Sequence, residues 1–204
     1  MARLIAAGIP ATVDRPDPAW DIALLFPPQG QWSEEDYLAL DASRLIELSD
    51  GRIEVLEMPT QRHQKIVLLL LQLLIEFVAA RNLGTVLFAG IPVRLWPGKF
   101  REPDVVFMRA EHADRMADEY WEGADLVMEV VSGNRDLDLV TKRREYAQAG
   151  IPEYWIVDAQ SETVAVLALR GGGYEPRVHG RGAVAASVAL PGFEVAVDAV
   201  MSLR

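Results

Sequence analysis

The chain has 204 residues, half of them hydrophobic and a quarter charged, with no cysteine and a formal charge of −10 at pH 7. That length supports one well-cored domain, and the missing cysteines exclude a disulfide scaffold and a thiolate metal site, so any bound metal must be held by oxygen or imidazole. The acidic balance argues against a broadly basic nucleic-acid surface, because phosphate contacts are made by Lys and Arg, and leaves only a local one.

In chain order, residues 1–31 carry prolines at 10, 16, 18, 27 and 28 without a sustained period and read as an irregular arm ahead of a single domain over 32–204. Met1 to Pro10 offers no basic and apolar leader, which predicts a chain that is not exported, and a cysteine-free composition fits a reducing cytoplasm. Ser33-Glu-Glu-Asp36 predicts a short helix with Ser33 as N-cap and acids in the first turn. Ile46 to Ser49 and Arg52 to Leu56 flank Asp50-Gly51, a strong hairpin signal, with Glu54 in the second strand.

A long helix follows from about 62 to 82. Its Lys65, Gln72 and Glu76 fall on one narrow stripe, predicting cover on most other sides. Ile66 to Ala80, broken by Gln72 and Glu76, is shorter than the roughly 20 residues of a membrane span, so no membrane partner is expected. Thr85 to Phe88, Ile91 to Leu95 and Asp104 to Met108 read as strands, and 109–123 as a helical excursion. Leu126 to Val131, a helix from about 137 to 149 closed by Gly150-Ile151-Pro152, and Glu153 to Val157 then predict a βαβ unit, hence parallel strands buried on both faces. Segments at 163–169, 174–178 and 184–189 read as antiparallel strands completing the sheet edge. The fold class is therefore α/β, with a mixed sheet.

Two carboxylates stand out. Glu129 lies among Val127, Met128, Val130 and Val131, where an unpaired charge costs several kcal/mol or more. Asp104, taken alone, is an ordinary polar residue opening a strand after Pro103, but residues at matched ends of adjacent strands can share one metal. Lys142 lies three residues after Leu139 and four before Tyr146, which aims it toward the sheet if that face is core. Two carboxylates and a lysine without His or Cys clusters match phosphodiester hydrolysis by water activated on Mg²⁺ or Mn²⁺. Arg135, Arg143 and Arg144 are the candidate nucleic-acid contacts; their alternative is a solvated helix face balanced by Asp136, Asp138 and Glu145.

The set Asp50-Gly51, Arg62-His-Gln64, Pro103-Asp-Val105, Asp125-Leu-Val-Met-Glu-Val-Val-Ser132, Lys142 with Tyr146, and Gly150-Ile-Pro-Glu-Tyr-Trp-Ile-Val-Asp158 resembles the Uma2 family of restriction endonucleases over about residues 32–170. The resemblance implies the restriction-endonuclease-like fold of the PD-(D/E)XK nuclease superfamily, with Asp104 and Glu129 as metal ligands and Lys142 as catalytic lysine. The chain departs from the superfamily pattern at Val131, two residues after Glu129, so the lysine must come from the next helix, while the Val131 backbone carbonyl stays available to the metal. No acid opens the long helix; Glu54 or His63 stands in as secondary candidate, as does Tyr146 beside Lys142. The expectation is an endonuclease acting on nucleic acid, DNA first, with a homodimer plausible for cutting both strands. The competing readings are an inert interaction module that keeps the fold and a phosphodiesterase acting on RNA or a small substrate.

Overall fold

The computed structural model describes residues 25–40 and 45–204; residues 1–24 of the expected arm lie outside the described residues. Helix α1 (Glu34–Leu38) opens as the sequence predicts: the Ser33 hydroxyl accepts from Asp36 N–H and the Asp36 carboxylate accepts from Ser33 N–H, each at 3.0 Å. Strands β1 (Ile46–Ser49) and β2 (Arg52–Val55) form the expected hairpin, with Asp50 and Gly51 both at positive φ (51° and 74°). A side chain at Gly51 would put its Cβ 2.7 Å from the Gly30 carbonyl oxygen. The segment before α1 is fastened here, Gly30 N–H donating to the Gly51 carbonyl at 2.7 Å.

The other elements are α2 (Gln61–Ala79), β3 (Gly84–Phe88), β4 (Val93–Trp96), β5 (Lys99–Arg101), β6 (Val105–Arg109), β7 (Trp121–Glu122), β8 (Leu126–Val130), α3 (Lys142–Gln148), β9 (Glu153–Asp158), β10 (Thr163–Arg170), β11 (Gly173–His179), β12 (Val184–Ala186), β13 (Glu194–Ala196) and α4 (Val197–Met201). Six strands make the main mixed sheet in the order β11-β10-β9-β8-β6-β3, and β8 and β9 are the predicted parallel pair, buried along their whole length. A second sheet, β2-β1-β5-β4-β7, carries the hairpin.

Period-two alternation splits the core. Leu126, Met128 and Val130 of β8 pack with α2 and the C-terminal elements, whereas Val127 packs with Tyr146 of α3 and Val93 of β4 on the other face. Glu153, fully buried, accepts from Trp155 Nε1, Ser187 Oγ and the N–H groups of Val188 and Ala189, docking the loop between β12 and β13.

Four expectations need correction. Helix α2 buries one stripe, Ile66, Leu70, Leu74 and Val78, and leaves Leu68 and Ile75 exposed, because it lies on one face of the main sheet with no described element over its outer side. Segment 184–189 does not extend the main sheet; β12 pairs with β13 in a separate ribbon, since the chain returns through Pro191-Gly192 to provide a nearer partner. Residues 109–123 hold only a short 3₁₀ turn, Ala110–Arg115, and then β7. The crossover helix begins with a π turn, Leu137–Thr141, where Lys142 N–H bonds to the Leu137 carbonyl five residues back.

Helix α3 is joined to the second sheet by buried ions. Arg101 on β5 donates to both oxygens of Glu145 (2.8 and 3.2 Å), to Glu47 on β1 (2.5 Å) and to Glu54 on β2 (2.5 Å). Lys99 adds an ion pair to Glu145 at 2.7 Å and a hydrogen bond to Ser49 at 2.7 Å. Beside this network, burial first and the Glu47 carboxylate second push Glu102 up to about 7.

The outer face of α2 is tested by comparing two leucines. Leu70→Ala lowers stability by about 2–5 kcal/mol in denaturant unfolding, while Leu68→Ala costs well under half as much; equal losses would contradict this orientation. Glu102 gives a pH test. Its pKa is higher in the folded chain than the usual 4.5, so its favourable contribution is complete below that value and is lost as pH rises through about 7. Glu102→Gln therefore gains melting temperature relative to the parent between about pH 5 and about pH 8.5, and a constant difference across that range would refute the assignment.

Candidate active site

Strand pairing brings the two predicted carboxylates together. In the antiparallel pair β6 and β8, Val105 stands opposite Met128, so Asp104, one residue before β6, comes alongside Glu129. Alternation directs Glu129 to the α3 face, in line with Val127, and the side chain is almost fully buried.

Glu129 meets the predicted helix face. Its Oε1 accepts from Lys142 Nζ at 2.8 Å and from the Tyr146 hydroxyl at 2.7 Å, so the two residues one turn apart on α3 grip the same oxygen. The Asp104 carboxylate is held differently. Its Oδ2 accepts from Val130 N–H at 2.7 Å and lies 3.2 Å from His63 Nε2. His63 Nε2 is also 3.1 Å from the Val130 carbonyl oxygen, and with acceptors on both sides that nitrogen bears the proton. His63 thus lies beside Asp104 and orients its carboxylate.

Two further carboxylates surround Lys142: Asp138 at 3.4 Å and Glu47 at 4.0 Å. Asp138 is itself fixed by the Ser132 N–H and hydroxyl, both at 3.0 Å, which ties the loop after β8 to the π turn. Neither residue is among the sequence candidates, though both carry a legible signal. Asp138 stands at i,i+4 spacing from Lys142, and Glu47 lies between Ile46 and Leu48 in a short apolar strand, the same argument that singles out Glu129. Of the secondary candidates, Glu54 is engaged by Arg101, and Val131 follows β8 with its N–H on the Val157 carbonyl. Arg135 is clamped by Asp158 at 3.0 and 2.6 Å, while Arg143 and Arg144 lie on the other side of α3 from Lys142.

The protonation states follow from the surroundings. Burial alone would lower Lys142, but Glu129, Glu47 and Asp138 together raise it, so it remains an ammonium ion. Burial raises Glu129; Lys142 opposes that rise, and Asp104 and Asp138 add to it. Tyr146 is raised by burial and by Glu129 and stays a phenol donor. His63 is pulled down by burial, yet the hydrogen bond and charge of Asp104 leave it raised overall.

These residues fit a small hard cation. Among the described residues no donor meets Glu129 Oε2 or Asp104 Oδ1, so each carboxylate keeps one oxygen for a ligand. The buried cluster holds five acidic side chains (Glu47, Glu102, Glu129, Asp138, Glu145) against three basic ones (Lys99, Arg101, Lys142); burial and neighbouring acids raise Glu102 and Glu129, and a divalent ion would favour their charged forms. Among the described residues no three His, Asp or Glu side chains converge as a closed metal cage. Mg²⁺ does not require one: it commonly takes one or two carboxylates and fills its shell with water and substrate phosphate.

Comparison with known proteins bears on the family and the fold. Residues 34–198 match the model of the Uma2 family, described as "Putative restriction endonuclease". A solved structure from Anabaena variabilis, described as "a putative nuclease belonging to DUF820", superposes with a TM-score of 0.70 at 16% identity, covering 84% of this chain and 98% of that one, a likeness in fold. No curated protein matches the chain. The main mixed sheet, the helices flanking it and the family match over most of the length together establish that the chain belongs to the Uma2 family of nucleases, with a restriction-endonuclease-like fold.

Proposed function

We propose that the chain is a divalent-metal-dependent endonuclease that hydrolyses DNA phosphodiester bonds at the Asp104–Glu129 centre. The observation that carries this reading is a buried carboxylate, Glu129, placed beside Asp104 on the neighbouring strand and held by an inward lysine. Perturbed ionisable groups gathered in this way are a feature of catalytic centres.

Asp104 and Glu129 would hold Mg²⁺ or Mn²⁺ through Oδ1 and Oε2. Bound there, such an ion supplies a water of lowered pKa and neutralises phosphoryl charge. The protein groups have separable tasks. Val130 N–H and His63 fix Asp104, and Tyr146 with Lys142 fixes Glu129, so both carboxylates are set before substrate arrives. Lys142, kept protonated by three acids, cannot serve as general base; its ammonium group stabilises negative charge on the phosphate oxygens as the bond to the leaving oxygen breaks. A homodimer would present two such centres to the two strands of a duplex.

Supercoiled plasmid incubated at low salt with Mg²⁺, Mn²⁺ or EDTA tests the proposal. Wild-type protein nicks with either metal and not with EDTA. Glu129→Gln, which keeps an acceptor for Lys142 and Tyr146, slows nicking by about 10²-fold or more, and Lys142→Arg does not restore the rate of the parent. Undiminished cleavage by folded Glu129→Gln would remove the centre from the reaction, and no cleavage of any DNA by wild type with either metal would refute the function.

A further inference from the structure

Helix α3 sorts its charges. Lys142, Glu145 and Tyr146 are buried against the sheets, whereas Arg143 is half-buried and Arg144 exposed on the opposite flank. There a cavity of about 560 Å³ opens between the helix and the turn joining β10 to β11. Val140, Arg143, Arg144, Gln148 and Gly173 border it, Tyr174 closes its floor, and none of its lining residues is acidic.

That is unusual on a chain of charge −10. Several arginines are committed to acids, Arg94 to Glu34 and Glu122, Arg135 to Asp158, and Arg181 to Glu162 and Asp198; among the described residues Arg52, Arg81 and Arg177 meet no carboxylate, but none of these three lines the cavity. Among the described residues neither Arg143 nor Arg144 meets a carboxylate, and the Arg143 guanidinium donates only to the Tyr174 carbonyl, at 3.2 Å. The opposite wall is Gly172-Gly173, where no Cβ holds a ligand away from the backbone, and Val140 offers an apolar surface 61% exposed.

We propose that this groove binds a single-stranded stretch of the nucleic-acid substrate, with its phosphates on Arg143 and Arg144 and its bases against Val140 and the glycine turn. The inference rests on the nuclease reading and extends it to the form of the substrate. Arg143 follows Lys142 on α3, so the groove lies on the outer flank of the same helix whose inner face holds Glu129. Two uncommitted arginines suit a few phosphates, whereas firm duplex binding takes roughly six to ten phosphate contacts. A duplex is also too wide for such a cavity, while one strand can enter it and lay base faces on an apolar wall.

Fluorescence anisotropy with a short labelled single-stranded oligonucleotide, and with the matching duplex, tests this in EDTA, where cleavage plays no part. The single strand binds more tightly than the duplex, with a log K against log salt slope of about −1 to −2, as release from two phosphates requires. Arg143→Glu with Arg144→Glu weakens that binding by about 10-fold or more, and the milder Arg143→Gln with Arg144→Gln weakens it in the same direction. Duplex preference, a slope steeper than about −5, no oligonucleotide binding, or unchanged binding by the folded arginine variants would each overturn the groove. Its failure is separable from that of the nuclease: intact plasmid nicking with unaffected arginine variants removes the groove alone, and single-strand binding lost in those variants without any nicking removes the activity alone.

Discussion

A carboxylate buried at the centre of a mixed sheet imposes conditions on everything packed around it. Glu129 occupies a position on β8 where alternation calls for an apolar side chain on the α3 face. Ionised and alone it would be costly, so a lysine and a phenol are delivered to it from α3. Helix α3 can deliver them only if its own height over the sheet is fixed. Arg101 and Lys99 do this by holding Glu145, three residues beyond Lys142, against the second sheet. The small sheet and the hairpin that carries Glu47 and Glu54 therefore bear on the centre without contributing a ligand to it.

Such a cluster is a poor way to build stability. Replacing a buried ion network with packed apolar residues is often neutral or stabilising, whereas removing one partner from it is strongly destabilising. Here the acidic side chains outnumber the basic ones, and among the described residues Glu102 retains a buried oxygen without a partner. Buried acids raised for want of neutralising charge, next to two carboxylate oxygens that face no donor among the described residues, suit a cation, which would favour their ionised forms. The same bias explains why Lys142 acts as a fixed charge: three acids around it hold its proton.

Much of this architecture could be read in the sequence because its signals are local. The Ser33 cap, the Asp50-Gly51 turn, the stop at Gly150 and the apolar runs of β8 and β9 each state their structure within a few residues, and Glu129 stands out because its neighbours are all apolar. Lys142 and Tyr146 were legible as one helix face, and both reach Glu129. What escaped depends on distance along the chain. Asp138 and Glu145 read as partners of a surface arginine cluster until β1, β2 and β5 are folded over them; then Glu145 belongs to Arg101, 44 residues away. The pairing of β12 with β13 and the open outer face of α2 likewise depend on which elements arrive nearby, and no periodicity encodes that. Glu47 is a different case, since its apolar flanks were visible and the brevity of its strand hid their meaning.

The central claim is that Asp104 and Glu129 form a cation site whose free oxygens are already in place. Titration calorimetry with Mn²⁺ in the absence of nucleic acid tests it most directly, comparing wild type with Asp104→Asn and Glu129→Gln. The account predicts one Mn²⁺ bound per chain, with heat lost in both folded variants and a melting temperature raised by metal only in the parent. No saturable binding to wild type, or binding that survives both substitutions, would contradict it.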